Sequence, residues 1–286
     1  MKRLGLLGGM SWESSVEYER VINQAVRREL GGVSSADLVV RSFDFAEIEA
    51  LQSAGDWDAA GDVLAAAARD LVHCGAEVLV ICTNTMHLLA DRVEAEAGVP
   101  LVHIADATAA AVQRSGVERV ALLGTRYTME APFYAGRLRE RFGLDVLVPD
   151  EPDRSVVHDV IYDELVQGVI SDTSRDAYRG IVERLVERGA EGVIAGCTEI
   201  ELLLTDADVP VPYFPTARLH AEAAAAARAS SRVAPRRNPS TKSILDARGG
   251  EVLRRGRAPG RRARVDIPSE RIAAAMRAPP PRRPAA

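Results

Sequence analysis

Two stretches of the chain repeat one pattern: "GAEVLVICTNTMHLL" over residues 75–89 and "GAEGVIAGCTEIELLL" over residues 189–204. Each opens on Gly-Ala-Glu, runs through a short apolar segment, reaches a Cys-Thr pair and continues into a leucine-rich run. A short continuous apolar run bounded by a turn reads as a strand buried on both faces. Cys82 and Cys197 therefore fall where a strand hands over to a helix, the place where open parallel sheets bind ligands.

The repetition extends upstream. "RLGLLGGMSWESSVEY" (3–18) matches "RVALLGTRYTMEAPFY" (119–134), and Gly8 precedes Cys82 by nearly the same interval as Gly124 precedes Cys197. Strand candidates "RLGLL", "DLVVRSF", "EVLVI", "LVHI", "RVALL", "LDVLV", "GVIAG" and "VPVPYF" alternate with amphipathic runs such as "WESSVEYERVINQAVRREL" and "DAYRGIVERLVERG". Alternation of this kind predicts parallel sheets covered by helices. Matched spacing and a matched cysteine together predict an α/β chain of two pseudo-symmetric, doubly wound parallel-sheet domains, 1–115 and 116–228.

Bulk properties narrow the class. Of 286 residues, 47% are apolar, enough for one large core or two smaller ones. No apolar run is long enough to span a bilayer, and "MKRLGLLGGM" (1–10) reads as a first buried strand rather than a leader. Three cysteines without a CxxC pair make neither a disulfide framework nor a zinc site, so a reducing, cytoplasmic compartment is expected. The net charge of -5 hides a division: residues 230–286 carry fifteen basic and four acidic side chains, the rest 21 and 37. The Arg- and Pro-rich tail, 229–286, is expected to be disordered and inert, with nucleic-acid contact the alternative set aside.

"GLLGGMSW" (5–12) invites a nucleotide reading, but Gly5, Gly8 and Gly9 do not have the GxGxxG spacing that admits a pyrophosphate. The loop can still offer backbone N–H groups to a small carboxylate. At the cysteine junctions, the free N–H groups of a helix start favour thiolate and are expected to lower the thiol pKa. Cys74, whose repeat counterpart is Arg188, reads as a small buried hydrophobe.

Two acid–base groups facing each other across a pseudo-twofold axis suit racemisation, in which one base removes a proton from one face of a carbon and the other returns one to the opposite face. Many racemases acidify the α-proton through a pyridoxal Schiff base to lysine. The only lysines are Lys2, ahead of the first strand, and Lys242, in the tail, so no cofactor is expected and no metal. Stabilisation of the developing charge is left to hydroxyl, amide and backbone donors.

"LGLLGGMSWESS", "ICTNTMH", "HIADAT", "VALLGTRYTME" and "AGCTEIELLL" resemble the cofactor-independent aspartate/glutamate racemase family, over nearly all of residues 1–228 and none of the tail. The resemblance implies a site between two α/β domains, a homodimer, and reversible α-proton exchange on an acidic amino acid. By position it implies Cys197 as one proton donor and acceptor. Many relatives place cysteine directly before the asparagine, whereas Thr83 stands between Cys82 and Asn84 here. Anchored on "NT", Thr83 takes the catalytic place; anchored on the repeat, Cys82 does. Neighbours at a strand end point to opposite faces, so one of the two faces the substrate. "CTNTMH" favours Thr83, a poorer base that leaves removal by a Cys197 thiolate the easier transfer.

Met10, Gln52, Asn84, Thr85, Thr198 and Glu199 match the family's pocket. Asn84 and the threonines would donate to the α-carboxylate and Glu199 would receive the ammonium group, with helix capping the plainer role for Thr85 and Thr198. Arg41, Arg126 and Glu164 carry no secure role, and no cation is identified for a second carboxylate. His87 and His220 read as structural. Pro215 stands where the family usually carries Asp, removing a carboxylate and a backbone donor. The competing readings are another carbon-acid enzyme of this fold, such as a hydantoin racemase or malonate-type decarboxylase, or a non-catalytic binding module for acidic metabolites.

Overall fold

The computed structural model describes residues 1–229, so the expectations for the tail and for Lys242 lie outside the described residues. Eight strands form two four-stranded, fully parallel sheets. They are β1 (Leu4–Gly8), β2 (Leu38–Ser42), β3 (Val78–Ile81) and β4 (Leu101–Val102) in the first sheet. The second holds β5 (Arg119–Gly124), β6 (Asp145–Leu147), β7 (Gly192–Gly196) and β8 (Tyr213–Pro215). The spatial orders are β2-β1-β3-β4 and β6-β5-β7-β8, one topology written twice. All eight strand candidates are present.

Burial follows position in the sheet. β1, β3 and β7 are buried along their whole length, which is why their sequences read as continuous apolar runs. The edge strands β2, β4, β6 and β8 are partly exposed, and three of them are only two or three residues long.

Among the described residues eleven α-helices accompany the strands: α1 (Trp12–Leu30), α2 (Phe45–Ser53), α3 (Trp57–His73), α4 (Ala90–Ala97), α5 (Ile104–Ser115) and α6 (Arg126–Glu130). They continue with α7 (Pro132–Phe142), α8 (Asp153–Asp163), α9 (Asp172–Glu187), α10 (Ile200–Leu203) and α11 (Thr216–Ala227). Two cross over. Although α5 follows β4, its Ile104, Ala105, Ala109 and Val112 pack on Val120, Leu122 and Ile194 of the second sheet. α11 follows β8, yet Ala217, Ala221, Ala224 and Ala225 pack on Leu4, Leu6, Val78 and Val80 of the first. Each half of the sequence thus gives its last helix to the other sheet. The alanine stripe of α11 lets the helix lie close over those strands.

In the order 2-1-3-4 the chain direction of travel reverses between the first and third strands, and ligands bind at the carboxyl ends of the strands at that point. Both cysteine stretches and both glycine-containing turns end there: Gly8 closes β1, Gly124 closes β5, and Cys82 and Cys197 follow β3 and β7.

Candidate active site

Met10, Gln52, Thr83, Asn84, Thr85, Cys197 and Glu199 line one small cavity together with Phe45, Met86, Thr125, Ile161, Tyr162 and Val166. Its free interior is ≈ 20 Å³, enough for about one water. Residues from the carboxyl ends of β1, β3, β5 and β7 meet in it.

The alternation of the β3 strand carries on to its end and gives Cys82 and Thr83 different surroundings. Val78, Val80 and Cys82 face α1 and α11, packed with Tyr18, Ala217 and Ala221. Leu79 and Ile81 face the opposite side. Cys82 is fully buried, and burial pushes its thiol well above the ordinary range. Thr83 is partly exposed and lines the cavity.

The Cys197 thiol donates to Glu199 Oε2 at 2.9 Å, and the Thr198 hydroxyl donates to the same oxygen at 2.8 Å. Burial, followed by the Glu199 carboxylate, raises the Cys197 pKa well above its ordinary value. This corrects the expectation of a thiol activated by a helix start. α10 has only four residues, and a buried neighbouring carboxylate outweighs its end charge.

Two buried acceptors in the cavity walls have no partner among the described residues: Glu199 Oε1 and Asn84 Oδ1. The orientation of Asn84 follows from its neighbour. Thr216 Oγ1 donates its single proton to Ala195 O at 2.6 Å, so toward Asn84 it accepts, from Nδ2 at 3.0 Å. The asparagine therefore leaves its acceptor Oδ1 free, while one of its two Nδ2 protons goes to Thr216.

The Thr85 hydroxyl shares a proton with that of Thr125 at 3.1 Å, and neither Thr85 nor Thr198 caps a helix. Gln52 Nε2 donates to the Tyr162 hydroxyl, which leaves that hydroxyl's own proton available. Among the described residues lining the cavity there is no lysine or arginine. Arg41 lies over the Phe43 ring, Arg126 pairs with Glu130, and Glu164 accepts from Ser174. Of the expected pocket residues, Thr198 does not line this cavity; it lines a neighbouring one with Ser14, Glu201 and Tyr213.

The glycines after β1 serve backbone packing. Gly9 has φ +84°, and a Cβ there would stand 2.3 Å from Phe43 N. Its N–H donates to Ser15 Oγ at 2.8 Å and is not free for an anion. Cys74, expected to be buried, is exposed. Pro215 ends β8, and two residues on, Ala217 N, in the first turn of α11, donates to Glu201 Oε1 at 2.6 Å.

The sequence reading missed Thr125 and Tyr162. Thr125 carried a signal, since it follows Gly124 as Gly9 follows Gly8. Tyr162 comes from α8 with no motif around it.

The Asp/Glu/hydantoin racemase family profile matches residues 7–224. The crystal structure of an Asp/Glu racemase candidate from Yersinia pestis is 54% identical, with a TM-score of 0.75, covering 80% of this chain and 99% of that one. An aspartate racemase homologue from Pyrococcus horikoshii OT3 is 34% identical with a TM-score of 0.69, again covering 80% and 99%. A glutamate racemase from Pseudomonas putida is 33% identical over 135 residues, 45% of this chain; the matched part spans about half, 48%, of that relative.

Proposed function

The chain belongs to the Asp/Glu/hydantoin racemase family, and from that premise we propose that it interconverts the L- and D-forms of aspartate and/or glutamate without a cofactor, by two-base transfer of the α-proton. One observation carries the reading: Thr83 and Cys197, from the carboxyl ends of corresponding strands in the two sheets, line a cavity that also holds two unpartnered acceptors.

An ammonium group suits both acceptors. It carries three donors, and Glu199 Oε1 and Asn84 Oδ1 are buried and empty-handed. A hydantoin has no ammonium group to offer, so this pair favours a free amino acid. Placing the ammonium against Glu199 also offsets the negative charge that opposes a Cys197 thiolate. The thiol can then release its proton to the water that the entering substrate displaces, and the thiolate can take the α-proton from its side. Thr83 serves the other side, returning a proton or removing one in the opposite direction. Hydroxyls of Thr85 and Thr125, both in the cavity wall, are candidate donors for charge that spreads onto the α-carboxylate.

The substrate's second carboxylate meets Tyr162 and Gln52 in this reading, both uncharged. Lys2 lies at the amino end of β1, the end remote from the cavity, which supports chemistry without a Schiff base. The narrow interior excludes water around the reacting carbon, and it has to widen to admit a substrate.

A homodimer is part of the proposal. Trp12 and Val16, 65% and 54% exposed and one helical turn apart on α1, offer an apolar face outside the cavity, as does Val40 on edge strand β2. Sedimentation at a single-protomer mass would refute it.

Proton NMR in D2O tests the activity. Loss of the Cα proton signal from aspartate or glutamate is expected, with chiral analysis showing inversion. Exchange without inversion would indicate a single base, and no exchange on any acidic amino acid would leave a binding protein.

A further inference from the structure

We propose that His87 is a positioning residue for Thr83: its ring grips the Thr83 carbonyl and so fixes where the Thr83 hydroxyl stands in the cavity. The inference rests on the two-base reading above. His87 Nδ1 lies 2.7 Å from Thr83 O, and His87 Nε2 lies 3.1 Å from Ile104 N. A backbone N–H can only donate, so Nε2 is bare and the ring proton sits on Nδ1, donating to Thr83. Burial, then the neighbouring rings of His103 and His220, keeps His87 neutral.

A second ring backs the first. His220, from α11, lies 5.3 Å from His87 between ring centroids. Its Nε2 donates to Val102 O at 2.7 Å and its Nδ1 accepts from the Tyr18 hydroxyl at 2.8 Å. His103 closes the third side at 4.7 Å from His87. Turning the His87 ring would strand a buried N–H and a buried carbonyl together, which costs more than either bond is worth when formed. The geometry needs the helix exchange: the short helical turn Thr85–Leu89 and β4 come from the first half of the chain, while His220 comes from the second.

Thr83 is the one residue of Cys82–His87 that is not fully buried. It stands between a strand and a short turn, with no ladder to hold it once β3 has ended. An anchored carbonyl restricts the backbone there, and the hydroxyl moves with the backbone. Four residues separate donor and acceptor, so the grip is local, but its rigidity comes from α1, α5 and α11.

Two isosteres test this. Asparagine carries its amide nitrogen close to the position of Nδ1, glutamine closer to that of Nε2. His87→Asn keeps the grip and should racemise within roughly threefold of the parent, the scale of a weakened hydrogen bond. His87→Gln loses it and should fall on the order of a hundredfold, as expected when a reacting group is displaced slightly. In D2O, His87→Gln should still exchange the α-proton of the enantiomer facing Cys197 and lose exchange of the other, as Thr83→Ala should. A role in stability alone would reduce both enantiomers alike and treat Asn and Gln alike; that result overturns the positioning role. Should His87→Gln fail to fold, nitrogen NMR of the parent protein decides: protonated Nδ1 with bare Nε2 supports the grip, and a proton on Nε2 overturns it. If Thr83→Ala itself shows no one-sided exchange, the two-base reading has failed rather than the positioning alone.

Discussion

The Cys197 thiol and the Glu199 carboxylate are joined by a hydrogen bond of 2.9 Å, inside a loop whose next hydroxyl, that of Thr198, turns to the same carboxylate oxygen. The pairing sets the resting state of the site. Burial and a negative neighbour both oppose a thiolate, so the sulfur waits as a thiol until a positive group reaches Glu199.

Replacing Glu199 with glutamine separates those two effects. Without the carboxylate charge, the Cys197 pKa should fall, and alkylation of Cys197 by iodoacetamide should rise at lower pH than in the parent. Racemisation should still drop by roughly a hundredfold, because a buried ammonium loses its charged partner. An alkylation profile that stays in place would show that the carboxylate does not hold the thiol neutral.

The choice between Thr83 and Cys82 is open to direct measurement. Thr83→Ala and Cys197→Ala should each lose on the order of a hundredfold or more in racemisation, the usual weight of a positioned acid–base group. Cys82→Ala should keep turnover and cost about 1 kcal/mol of stability, as expected for a small deletion in a packed core. Chiral chromatography of product and a denaturant melt read the two quantities separately. Loss of turnover in Cys82→Ala with Thr83→Ala fully active would reverse the assignment.

Recognition of the second carboxylate should be weak, since neutral donors meet it. Tyr162→Phe should raise KM for aspartate and glutamate by roughly tenfold, about one hydrogen bond to a charged group, with little change in kcat. The same substitution should leave an uncharged substrate such as alanine nearly unaffected. Equal effects on charged and uncharged substrates would place the second carboxylate elsewhere.

Stability should pass through a maximum with pH. Burial lowers the His220 pKa from 6.5 to about 4, so below pH 6.5 the unfolded chain binds a proton that the folded one refuses. Stability is then lost as pH falls through that window, and His87 and His103, the latter lowered to about 3, act in the same direction. Glu201 has the opposite sign. Raised mainly by burial from 4.5 to about 8, it stays protonated when folded, and its contribution is lost as pH rises through 8. The melting temperature should therefore be highest near pH 6.5, and Glu201→Gln should flatten the decline on the alkaline side. A decline unchanged by that substitution would exclude Glu201 as its source.

Much of this was legible before any coordinates. Eight short apolar runs became eight strands, because a strand buried on both faces has no polar positions to break the run. The repeat was legible too, and with it the meeting of Cys197, Asn84, Thr85 and Met10 at strand ends. Cys74 and the state of the Cys197 thiol were not. Cys74 carries no mark in the sequence of how far the end of α3 lies from neighbours, and the thiol's pKa depends on which way Glu199 turns.

By itself the sequence determined the strand order's raw material: a duplicated βα pattern, cysteines at strand ends, and alternation that sends Cys82 and Thr83 to opposite faces of β3. What covers each face was decided only by tertiary structure. α11 arrives from the other half of the chain, lays its alanines against Val78, Val80 and the Cys82 side of the first sheet, and leaves Thr83 to the cavity. Local pattern sets alternation, because the pleat has period two, but burial of either face is a long-range contact, and no window of sequence contains it.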